Sequence, residues 1–208
     1  MSKFFVFFIT AVISWQATGV TITVKNANNK PLANAVVWLT PIGSQNAPSK
    51  SDALYSMGQK NREFTPHVLV VPQNAKVEFP NDDSIMHHVY SFSKAKTFEL
   101  KLYKEQPKAP LLFEQTGVVE LGCNIHDWMI GYIVVVDSTL FAITDENGHV
   151  ELAALPAEYK LNVWHSGFND ISNVESQTVK VSQAPLSYKI KQPIREKIDF
   201  ATDEFDDY

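Results

Sequence analysis

One stretch carries most of the chemistry in this chain: Cys123-Asn124-Ile125-His126-Asp127-Trp128-Met129. It places a thiolate, an imidazole and a thioether within seven residues. The apolar run over 116–122 leads in, and another over 130–136 leads out. A tight loop between two paired strands can point all three donors at one spot. Thiolate and thioether favour Cu(I), and imidazole suits both copper oxidation states. With one more imidazole, the set would suit a copper ion that cycles between them.

The candidate for that imidazole lies in residues 77–90, where His87 and His88 are adjacent. Neighbours in a strand point to opposite faces, so only one of the two can line a site. Each residue also has a plainer use. A lone cysteine is often a small buried apolar residue, and a methionine often fills a core. Hard-metal binding by Asp82, Asp83 and the histidines is a further reading, against which the soft sulfur donors argue.

These two segments together resemble the cupredoxins, the blue copper proteins of the plastocyanin and amicyanin type. The matching positions are Val77, Phe79, Asn81, Asp83, His87 and Val89, then Cys123, His126 and Met129. The resemblance spans roughly residues 62–137. One departure is His88, which stands where the family has Asn. The resemblance implies a Greek-key β-sandwich holding one type 1 copper ion. It implies His87, Cys123 and His126 as the trigonal ligands and Met129 as the weak axial one. It implies redox partners docking at an apolar rim around His126 and Trp128. Asn81 and Asp83 are expected to brace loops near the site, and His88 to hydrogen-bond the ligand loop.

Such donors need a rigid frame, and the chain reads as all-β. Short alternating or apolar runs follow one another closely, and strong helical periodicity is absent. Strands are predicted over 67–71, 75–79, 88–92, 98–103 and 111–113, while 42–62 reads as a loop or connector rich in Gly, Ser, Asn, Pro and Lys.

The ends of the chain read differently. Residues 141–152 predict a hairpin about Asn147-Gly148. Thr144, Asp145, Gly148, Leu152, Leu155, Pro156, Tyr159, Leu161 and Val163 resemble the carboxypeptidase-regulatory-like, or prealbumin-like, β-sandwich. Val24, Pro31, Ala35, Val37 and Leu39 fit its first two strands; Glu158 stands where that family usually has Gly. The expected organisation is a copper domain over 44–138 inserted into a second sandwich built from 20–43 and 139–192. Residues 193–208 are expected as an acidic, frayed tail. One continuous sandwich is the alternative.

The totals narrow the function. A net charge of -5 without a basic stripe argues against nucleic acid as a partner. Lys3, the apolar run over 4–14 and the small residues 17–19 read as a secretory signal. The run is shorter than the ~20 residues of a membrane span. The chain is therefore expected to be exported, most simply to a periplasm. One cysteine in 208 residues cannot form a disulfide within its own chain, and a lone exported thiol calls for burial or a metal. The reading is an exported electron carrier and not an enzyme. A copper-delivery protein is the alternative, although only four methionines, one the initiator, weigh against it.

Overall fold

A computed structural model describes residues 19–43, 53–105, 107 and 109–195. The expected secretory signal, the middle of the 42–62 connector and most of the acidic tail lie outside them. Seventeen strands are described. The first two are β1 (Val20–Lys25) and β2 (Val36–Pro41). Next come β3 (Leu54–Ser56), β4 (Gly58–Lys60), β5 (Glu63–Thr65), β6 (Val68–Pro72), β7 (Ala75–Glu78), β8 (His87–Ser93), β9 (Lys96–Tyr103), β10 (Leu111–Phe113), β11 (Gly117–Cys123) and β12 (His126–Val136). The last five are β13 (Phe141–Ile143), β14 (His149–Leu152), β15 (Glu158–Trp164), β16 (Glu175–Lys180) and β17 (Leu186–Lys189).

Strands β3 to β12 build the site-bearing half. Its main sheet has the order β6-β12-β11-β8-β9, faced by the smaller sheet β10-β7-β3. The two inner faces bury Val71, Val77, Phe79, Val89, Phe113, Val119, Leu121 and Ile133. The β4–β5 hairpin stands beside them. Here the expectation of a shapeless connector over 42–62 is corrected, since β3 and β4 lie within it. Both are three residues long, too short to show a period, although Met57 and Gln59 are fully buried.

Strands β1 and β2 pair far along the chain. β1 lies between β14 and β17, and β2 lies between β13 and β15. Among the described ladders none joins β1 or β2 to β3–β12. These strands form the second sandwich, with sheets β14-β1-β17 and β13-β2-β15-β16. The hairpin expected over 141–152 is also corrected. The turn itself forms, with Gly148 at φ 73° and its N–H donating to the Asp145 carbonyl at 2.9 Å. Yet β13 and β14 then enter opposite sheets, so the turn is a corner between layers.

The two halves share a core. Along β12, Ile133 and Val135 face the site-bearing interior, while Tyr132, Val134 and Val136 face the second sandwich. Val68, Val70 and Val118 join them on that outer face, against a cluster that includes Trp38, Leu39, Leu161 and Trp164. A strand covered on both faces reads as an unbroken apolar run, as 132–136 does. The first residues of the expected tail are tied down as well. Ile194 bridges Phe168, and the Arg195 guanidinium donates to the Phe168 carbonyl at 2.8 Å.

Candidate metal centre

The β11–β12 connection is only Asn124-Ile125, so Cys123 and His126 face each other as register partners across it. A register shift at Gly122/Cys123 marks where the ladder opens around the loop. β8 runs antiparallel to β11, with Val89 opposite Cys123. That pairing brings the start of β8, and with it His87, to the same end of the sheet.

Three donor atoms converge there. The Cys123 Sγ lies 3.6 Å from His87 Nδ1 and 3.9 Å from His126 Nδ1. The ligand atoms of His87, Cys123 and His126 all lie within 4.8 Å of one another, and all three residues are buried. Met129 is buried in the same cluster as Cys123. The structure turns His88 away from this group. Its Nδ1 accepts from the Asn124 side-chain amide at 2.5 Å, so its proton sits on Nε2, which donates to Glu99 at 3.0 Å.

The spacing suits a metal. Imidazole and thiolate donors bound to one ion at about 2.0–2.3 Å would lie less than about 4.6 Å apart, and the sulfur-to-nitrogen separations of 3.6 and 3.9 Å fit that limit. The protonation states suit it as well. Burial, then the neighbouring His87, lowers the pKa of His126 and favours its neutral form. The Nε2 of His87 lies 2.7 Å from Asp83 Oδ2. A carboxylate can only accept, so the proton between the two groups belongs to Nε2, while Nδ1 faces the Cys123 sulfur.

The loop before β8 is strongly braced. The Asn81 amide donates to the carbonyls of Ile85 and Tyr103, at 2.8 and 3.2 Å. Its carbonyl oxygen accepts from the Asp83 N–H at 3.0 Å. Asp83 in turn accepts from the backbone N–H groups of Asn61 and Arg62, at 2.7 and 2.9 Å. Burial works to raise the Asp83 pKa; the Arg62 N–H, the His87 ring and the Asn61 N–H outweigh it and hold the carboxyl below the usual range. Sequence reasoning placed Asn81 and Asp83 beside the site but did not find Asn61 or Arg62. No short-range pattern marks a turn that two non-glycine residues make at positive φ.

Around the loop the surface is apolar. Trp128, Ile125 and Ile130 are exposed, as are Ile85 and Met86 from the β8 approach. The Trp128 ring packs 5.2 Å from that of His126, centroid to centroid. Trp128 is two-thirds exposed, so it is not a core residue.

No family model matches the chain, and no curated protein matches it. Solved structures do. A purple cupredoxin from Nitrosopumilus maritimus is 25% identical, covering 41% of this chain and 100% of its own, with a TM-score of 0.35. A reduced Cu(I) form of an amicyanin variant at pH 4 is 20% identical over 48% of this chain and 98% of its own, with a TM-score of 0.36. A Cu-containing nitrite reductase from Thermus scotoductus is 18% identical over 55% of this chain and 28% of its own, with a TM-score of 0.39. This chain is similar to these three copper proteins over about half of its length.

Proposed function

We propose that this protein is a type 1 copper protein that carries single electrons between redox partners. One observation carries the reading: two imidazole nitrogens and a cysteine sulfur, all from buried residues, converge within 4.8 Å. His87 and His126 would bind copper through Nδ1 and Cys123 as thiolate, with Met129 as a weaker thioether donor. Copper held there supplies one-electron exchange and nothing else. The chain's own part is to keep those four side chains fixed, and the two-sided burial of β12 supports that. Cys123 and Met129 are 3% and 1% exposed, which favours a retained ion over one handed on by a delivery protein.

Partners would dock on the rim of Ile125, Trp128 and Ile130, where His126 comes nearest the surface. Such contacts are small and transient. The copper-binding unit is taken as 44–138, inserted into the sandwich of 20–43 and 139–192. Export to a periplasm rests on the sequence of residues 1–19. No helix among the described residues is long and apolar enough to cross a membrane.

Electrochemistry of the copper-loaded full chain tests the carrier role. A reversible one-electron wave, with all the copper retained over repeated cycles, is expected. Loss of Cu(I) to a competing chelator in each cycle would sink the carrier in favour of delivery.

A further inference from the structure

Asp83 touches a donor residue without being a donor, and its fixation is unusually complete. Asn61 and Arg62 form the two-residue turn of the β4–β5 hairpin at φ 55° and 61°. This left-handed pair is the type I′ geometry. It aims two successive backbone N–H groups at one carboxylate, Asn61 to Oδ1 and Arg62 to Oδ2. Oδ2 also takes the His87 Nε2 proton at 2.7 Å. The backbone N–H of Asp83 is itself held by Asn81. The carboxylate therefore cannot swing away from the imidazole without breaking three hydrogen bonds. His87 and His88 are each paired with a carboxylate, Asp83 and Glu99 respectively.

We propose that Asp83 is a positioning residue that fixes the tautomer of His87 and, through its negative charge, lowers the reduction potential of the site. This rests on the copper reading above. A carboxylate that accepts the far ring proton of a ligating imidazole orients the ring and raises its donor strength. The stronger donor favours the more positively charged metal state. The negative charge acts in the same direction, from outside the donor set. The β4–β5 turn thereby becomes part of the metal site, although neither of its residues touches a donor atom.

Two measurements test this. In the metal-free full chain, nitrogen NMR of the histidine rings reads the tautomer directly, with no dependence on copper. His87 is expected as the Nε2–H form; a substantial Nδ1–H population would overturn the proposal. In the copper-loaded chain, Asp83→Asn keeps an oxygen acceptor for the His87 ring and removes the charge. Cu(II) affinity is expected to fall tenfold or more relative to Cu(I), which is about 59 mV upward in potential. Glu114→Gln removes one charge from the far edge and controls for net charge. A potential that moves equally in both variants, or in neither, would overturn the tuning role. Should Asp83→Asn fail to fold, the tautomer in the unaltered chain still decides. Failure to bind copper at all would refute the function proposed above while leaving the tautomer result standing.

Discussion

The Asn124 side-chain amide reaches across to the His88 ring nitrogen at 2.5 Å and ties the ligand loop to β8. His88 is buried and passes the connection on to Glu99 at the sheet edge. Asn124→Ala leaves the His88 Nδ1 without its donor. Stranding a buried polar atom costs about 1–3 kcal/mol, and each kcal/mol lowers Tm by about 2–4 °C in a chain of this size. Calorimetry is expected to show that fall. Copper release to a chelator is expected to quicken, because the two-residue loop loses its only side-chain tether among the described residues.

Trp128 stands two-thirds exposed beside the His126 ring. Trp128→Ala is expected to leave folding and the visible spectrum unchanged while slowing electron self-exchange between copies of the protein, measured by NMR line broadening. An unchanged exchange rate would remove Trp128 from the docking rim.

Trp164 of β15 packs edge-on against Tyr132 of β12, with ring centroids 5.3 Å apart. Trp164 is fully buried, and the pair lies in the core that both halves share. Trp164→Ala is expected to cost about 3–5 kcal/mol. The loss is expected to appear as one unfolding transition, followed by both copper colour and far-ultraviolet circular dichroism. Two separate transitions would mean that the halves fold independently.

Alkaline stability follows from the buried phenols. Burial, then the hydrogen bond and charge of Glu175, pushes the Tyr188 pKa well above its ordinary value. Burial likewise raises Tyr103 to about 12, and raises Tyr132. A raised folded-state pKa means that ionisation favours unfolding. The contribution is intact below the unfolded value of about 10 and is lost as pH climbs above it. Denaturant midpoints measured from pH 9 to 12 are expected to fall, and Tyr188→Phe is expected to fall less steeply. Equal slopes in the two proteins would contradict the assignment.

The meeting of Cys123 and His126 was legible because it is local: the two residues face each other across the two-residue Asn124-Ile125 connection. Strand alternation said only that one of His87 and His88 could line the site; the resemblance pointed to His87, and the structure sets the two on different partners. The second sandwich was legible in outline from 24–39 and 144–163. Its contact with the metal-site sheet was not. The run 132–136 announces burial on two faces, but a single sequence does not say what covers each. The turn at Asn147-Gly148 looked like a hairpin because turn chemistry is local, whereas the sheets its flanking strands join are fixed by distant partners. The Asn61-Arg62 support of Asp83 was hidden for a related reason. It uses backbone N–H groups, which every residue but proline possesses.

Cys123, His87 and His126 are proposed to hold one copper ion through a thiolate bond. The most direct measurement is a visible spectrum of the full chain during titration with Cu(II). An intense thiolate-to-copper band is expected that saturates at one copper per chain, disappears on reduction, returns on oxidation, and is absent in Cys123→Ser. A Cu(II)-bound protein without that band, or one whose band survives in Cys123→Ser, would contradict it.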